Sequence, residues 1–229
     1  MEGTNTGVRE LKSPSQIVLA SGSPRRHELL ALSGWPYTVA PADVDETPIP
    51  EEDPRDYVLR IASHKAMATH AQVGENVLIV AADTTVAADG EILGKPANAP
   101  EALSMLRRLR GRTHEVYTAL AVMWENELRT ALAGSAVPMR AYTDSEMHAY
   151  VKTGDPFDKA GAYAIQHGGF HPVEEMQACY ANVIGLPLCH LTRLMAEIGV
   201  KATQDVPASC QAHLGYDCPV YQQVLEGKL

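Results

Sequence analysis

The chain lacks any apolar run near the roughly 18–20 residues that a membrane-spanning helix needs. It also lacks the apolar core of a secretory leader, since Met1 to Lys12 is polar and carries two acids. The expected compartment is therefore the cytosol. No long basic run is present, and the formal net charge is -9. Phosphate neutralisation dominates duplex affinity, so an acidic chain of this kind makes a poor nucleic-acid binder, and without a membrane-length apolar run no membrane partner is expected. It can still hold a small anion where a few cations share one cleft. There is no CxxC: Cys179, Cys189, Cys210 and Cys218 all fall in the last quarter. Cys210, His213 and Cys218 have no standard zinc spacing, so ordinary reduced thiols are expected. Neither a Walker loop nor a GxGxxG fingerprint occurs.

What is present alternates between strand and helix. Gln16–Ala20 reads as a short strand, and Ser21-Gly22-Ser23 as a turn. Ser23 and Pro24 suit the N-cap and first position of a helix ending near Gly34. Tyr37–Ala40 reads as a second strand, and Asp53-Pro54 opens a long helix to about Gln72. Val77–Ala82 (VLIVAA) is a continuous apolar run, the pattern of a strand buried on both faces. Asp83 is expected just after it, with Thr85–Ala88 extended and Asp89-Gly90 turning a hairpin. A helix over Asn98–Arg110, strands over Val116–Met123 and Leu128–Val137, and helices over Asp144–Lys152 and Pro187–Gly199 follow. This pattern favours an α/β fold with a twisted mixed central sheet flanked by helices. Residues 1–15 read as a flexible lead-in, 16–199 as the main domain, and 200–229 as a partly ordered tail.

Five segments carry candidate chemistry. Ser21-Gly22-Ser23-Pro24-Arg25-Arg26 joins a strand to a helix, where free N–H groups and two guanidinium groups favour an anion. The plain alternative is a well-capped helix with surface arginines. Asp83-Thr84-Thr85 puts a carboxylate at the end of a central strand, able to take a proton from water or to bind a cation. A turn-forming Asp is the alternative. Asp43-Val44-Asp45-Glu46 is either a solvated loop or a source of hard oxygen ligands for Mg²⁺. Lys65 and Lys95 are isolated lysines in small-residue or constrained contexts. Asp158–Gln166 (DKAGAYAIQ) leaves room for a planar group, and the Gln166 amide can read a base edge. Its alternative is a core strand with a polar turn.

The series SGSPRR, DVDE, SHKA, ADTTV, LGKP, DKAGAYAIQ and NVIGLP, in that order, resembles the Maf family over about residues 16–199. That resemblance implies two lobes with a cleft, a homodimer, and hydrolysis of a nucleoside triphosphate to a monophosphate and pyrophosphate with Mg²⁺ or Mn²⁺. It implies that Asp83 activates the attacking water, and that Ser21, Ser23, Arg26, Lys65 and Lys95 contact the substrate. Glu46 would place the metal or the water, and Arg25, Thr84 and Gln166 would tune base choice. The DKAGAY-x-IQ form is similar to the branch preferring dTTP and UTP. Two stretches depart from the family pattern beside the expected base pocket: His167-Gly168-Gly169-Phe170-His171-Pro172 and Cys179-Tyr180-Ala181-Asn182. They keep a house-cleaning activity on modified nucleotides in view. A nucleotide-binding regulator of septum formation is the reading from another functional class.

Overall fold

The computed structural model describes residues 14–74 and 76–229, so most of the expected lead-in lies outside the described residues. The elements run β1 (Gln16–Leu19), α1 (Pro24–Ala31), β2 (Tyr37–Val39), α2 (Pro54–Val73), β3 (Val77–Ala88) and β4 (Glu91–Leu93). There follow α3 (Ala99–Leu109), β5 (Thr113–Trp124), β6 (Glu127–Pro138), α4 (Asp144–Lys152), α5 (Tyr180–Ile184), α6 (Leu188–Ala196), α7 (Val206–Leu214) and α8 (Tyr221–Leu225). Local chemistry sets the helix starts. The Asp53 carboxylate accepts from Arg55 N–H at the head of α2, and Asn98 accepts from Glu101 N–H at the head of α3. Thr143 and Glu146 form a reciprocal capping box at α4.

The strands form one six-stranded mixed sheet, ordered β2-β1-β3-β5-β6, with β4 also on β3. β1 runs parallel to both β2 and β3, whereas β4, β5 and β6 pair antiparallel. The hairpin at Asp89-Gly90 forms, with both residues at positive φ.

Two expectations need correction. Asp83 does not follow a strand end; it lies inside the twelve-residue β3, paired with Ala119 of β5. The strand continues because β5 pairs with it residue by residue from Ile79 to Ala87. Nor are residues 200–229 only a partly ordered tail. Their α7 and α8 bury Val206, Cys210 and Val224, and Trp35 Nε1 donates to the Lys201 carbonyl at 2.9 Å. The pattern was hard to read because these helices are short and bury few residues.

The core divides along β3. Ile17, Leu19, Leu78 and Val80 pack under α1, α6 and α7 on one face. On the other face, Val18, Ile79 and Ala81 pack under α2. A third cluster forms beyond Val86, where Leu106, Tyr142, Met147 and Tyr163 close the opposite end. The cleft opens between this end and the β1–α2 end.

Candidate active site

β3 has continuous pairing on its β5 side but not on the other. Pairing with β1 runs from Val77 to Val80, and pairing with β4 only from Val86 to Ala88. Asp83, Thr84 and Thr85 occupy the interval, where β1 has turned off into the Ser21–Arg26 loop and β4 has not yet begun. Backbone and side chains there face a cleft with a volume of about 700 Å³.

Along that cleft lie Ser21, Ser23, Arg25 and Arg26 from the loop and the head of α1. Glu46, Lys65 and Lys95 come from the loop before α2, from α2 and from the turn after β4. Asp83, Thr84 and Gln166 complete the ten residues singled out from the sequence. Residues 167–172 are not among those lining it, nor is Tyr180. They fold against the far lobe, where Phe170 N–H donates to His167 Nδ1 at 3.0 Å and the Phe170 ring stacks on Tyr150. The departures at 167–172 therefore stand behind the pocket rather than beside the ligand space.

Lys65 reaches the cleft because it lies on the buried face of α2 with Val58, Ile61, Ala62 and Thr69. Ala62 and Ala66 pack in the same cluster as Ala81, Ala119 and Ala121 of the sheet, so helix and strands approach closely. Lys65 Nζ then meets Asp83 Oδ1 at 2.7 Å and Glu46 Oε1 at 2.7 Å. One ammonium thus bridges two carboxylates from different elements. Lys65 and Asp83 are only 8% and 5% exposed, and buried charges persist only when paired in this way. Burial pushes the Asp83 carboxyl above its ordinary value, against the opposing pull of Lys65 and Arg26. For Glu46 burial also acts upward, but the hydrogen bond and charge of Lys65, with Lys95 and Arg26, outweigh it and hold the carboxyl low. Both effects favour a neighbouring pair in which Glu46 stays ionised while Asp83 is the more basic.

Arg26 is fixed on three sides. Its Nε donates to the Gly185 carbonyl at 2.9 Å, Nη1 to Ser21 Oγ at 3.3 Å and Nη2 to Thr84 Oγ1 at 3.1 Å. Arg25 makes a looser contact, with Nη1 3.8 Å from Oδ2 of Asp158, which also lines the cleft. Lys159 is held within its own segment by Asp155 and Asp158. The cleft's cations are thus unequal: Arg26 is held in place, Arg25 keeps a loose, partly exposed pair, and Lys65 is partly neutralised by two acids.

Residues 16–198 match the family model described as Maf-like protein. This chain belongs to the Maf-like family. A Geobacter sp. (strain M21) relative named dTTP/UTP pyrophosphatase is 46% identical over 188 residues, covering 81% of this chain and 96% of its own length. One of the same name from Hahella chejuensis is 42% identical, covering 83% and 96%. The solved structure of the Staphylococcus aureus Ham1 protein overlaps 55% of this chain and 72% of its own at 15% identity, with a TM-score of 0.41. Among the described residues no helix is long and apolar enough to cross a membrane.

Two groups beside the Arg26–Thr84 contact are not among the candidates read from the sequence. Thr118, fully buried on β5, bonds to Thr84, and Gly185 packs against both Thr84 and Arg26. Gly185 lies in the quoted NVIGLP series. Thr118 left no signal beyond a polar residue in the apolar strand YTALAV.

Proposed function

We propose that this chain hydrolyses nucleoside triphosphates to a monophosphate and pyrophosphate, with dTTP and UTP as preferred substrates. The observation that carries the reading is a buried carboxylate, Asp83, set in the open interval of β3 between Lys65 and Arg26. A general base must be ionised yet basic enough to accept a proton, and a carboxyl raised by burial meets that need better than an ordinary one. The relatives' name, dTTP/UTP pyrophosphatase, supports the substrate class.

On this reading Asp83 takes the proton of a water that attacks the α-phosphorus. Arg26, already oriented by three bonds, holds phosphate oxygens and stabilises charge as it develops. Ser21, Ser23, Lys95 and the partly exposed Arg25 orient the rest of the polyanion, and Gln166 meets the base. Positioning and charge supply most of what phosphoryl chemistry requires.

A divalent cation fits the donor set in one respect. Among the described residues no group of three or more His, Cys, Asp or Glu is gathered as a full cage. Mg²⁺, however, commonly takes one or two carboxylates plus substrate phosphates, and Asp83 and Glu46 converge on the one Lys65 ammonium. Glu46 would help to hold Mg²⁺ or Mn²⁺, which would supply neutralisation of the triphosphate charge and leave Asp83 as the proton acceptor.

The test is a panel of standard and modified triphosphates with Mg²⁺ or Mn²⁺, read as pyrophosphate release. dTTP and UTP should lead. Release of orthophosphate, or tight binding with no product, would overturn the reading, and the second outcome would favour a nucleotide-sensing regulator. A panel led by modified nucleotides would replace the dTTP/UTP preference with a house-cleaning role.

A further inference from the structure

Three hydroxyl and carbonyl groups form a line behind Arg26. Arg26 Nη2 donates to Thr84 Oγ1 at 3.1 Å, Thr84 Oγ1 lies 2.9 Å from Thr118 Oγ1, and Thr118 Oγ1 donates to the Asn182 carbonyl at 2.8 Å. Thr84 and Thr118 are register partners on β3 and β5. Asn182 lies in the five-residue α5, and the nearby amides of Gly185 and Leu186 both go to the Ala181 carbonyl. Asn182 and Thr118 are both fully buried, and a bare buried carbonyl is costly.

The protons can therefore be counted. A threonine hydroxyl has one proton. Thr118 commits its proton to Asn182, so the proton between the two hydroxyls comes from Thr84. Arg26 takes one lone pair of the Thr84 oxygen. Towards the cleft, Thr84 can accept a hydrogen bond but has none left to donate.

We infer that Thr118 is a specificity-positioning residue: it fixes Thr84 as an acceptor, so the cleft favours a pyrimidine whose ring N3 carries a hydrogen, uracil or thymine, over cytosine. This rests on the nucleotide-hydrolysis reading above. Uracil and cytosine match in size, so the wall formed by Val183 and Ile184 does not separate them. Gln166 does not separate them either, because its amide can present either end. N3 differs in kind, a donor in uracil and an acceptor in cytosine, and a hydroxyl of fixed polarity reads that difference.

The test is calorimetric binding of UTP and CTP to the full chain, with pyrophosphate release followed in parallel. The parent should bind UTP the more tightly. Thr118→Val frees the Thr84 proton to turn into the cleft, and the UTP-over-CTP affinity ratio should fall at least about tenfold, the scale of one hydrogen bond. Thr118→Ser should restore the parent ratio. Should the valine variant fail to fold, Thr118→Cys keeps a weak donor for Asn182 but offers Thr84 a poor acceptor, and the ratio should again fall. Equal binding of the two nucleotides by the parent, or a ratio unmoved in the variants while both affinities drop together, overturns the inference. A parent that prefers UTP in binding yet releases no pyrophosphate overturns the hydrolytic reading and leaves the relay standing.

Discussion

Lys65 Nζ and Asp83 Oδ1 lie 2.7 Å apart, one on the buried face of a helix and the other inside a strand, and Glu46 shares the same ammonium. The pair holds the proposed base ionised without exposing it. Substituting Asp83→Asn keeps the shape and removes the proton acceptor. Turnover should fall at least about 100-fold, the scale of general-base loss, while UTP binding stays close to that of the parent. Pyrophosphate release and equilibrium titration measure the two separately, and near-parental turnover would remove Asp83 from the mechanism. The same variant carries a stability signature. Because burial raises the folded carboxyl above its unfolded value, its contribution is fully present below the unfolded pKa and lost as pH rises through the folded one. Asp83→Asn should then melt at or above the parent temperature at neutral pH, with the difference narrowing towards acid.

The same direction of shift fixes the acid limb of activity. Asp83 works ionised, so kcat/KM should fall with acid along a limb lying above the ordinary aspartate range. Glu46, held low, should stay ionised throughout that limb. Lys65→Met removes both the charge and the hydrogen bond that pull Asp83 down, so the limb should move to higher pH and kcat/KM at pH 7 should drop at least about tenfold. A pH–rate profile decides this: a limb that stays in place in Lys65→Met would show that Asp83 is not the group being titrated.

Periodicity made much of the sheet and its helices legible. The apolar run VLIVAA marked the buried strand, and Asp53, Asn98 and Asp144 stood at or beside helix starts. The end of β3 was not legible, since Asp83 and the threonines after it look like a turn unless the pairing with β5 is known. The cleft residues were legible as short polar or basic islands in an otherwise apolar pattern. Their inequality was not: nothing local says that Arg26 is held by Gly185, a partner 159 residues away, while its neighbour Arg25 is loosely paired. Thr118 stayed hidden for the same reason, because its importance comes from what stands across the sheet.

The C-terminal helices should matter to stability although they extend beyond the stretch that matches the family model. Val206 and Val224 are 2% and 1% exposed. Truncating each to Ala should cost about 1.5 kcal/mol, roughly 0.8 per buried methylene-sized group removed. Urea melts of the two single variants and the double variant check this. No measurable change in either single variant would mean that α7 and α8 do not add to the core.

Gly185 links the fold to the site most tightly. Its φ is +119, and a Cβ built there would lie 3.1 Å from Thr84 Oγ1 and 3.3 Å from Arg26 Nε. The carbonyl of the same residue accepts from Arg26 Nε. Gly185→Ala therefore meets two costs at once: a backbone conformation that L-residues rarely adopt, and crowding of the two groups that orient the proposed phosphate and base contacts. Strain of this kind costs about 1–3 kcal/mol. Arg26 or Thr84 must also shift by a few tenths of an ångström to make room, which should raise KM for UTP several-fold even where the variant folds. Gly168→Ala is the matched control, since its Cβ would meet nothing within 4 Å and the residue lies outside the cleft; a surface change of that kind should stay within about 0.5 kcal/mol. Chemical denaturation and steady-state kinetics on the two variants separate the effects. If Gly185→Ala lost stability but kept the parental KM, the close packing against Thr84 and Arg26 would matter to the fold and not to the ligand.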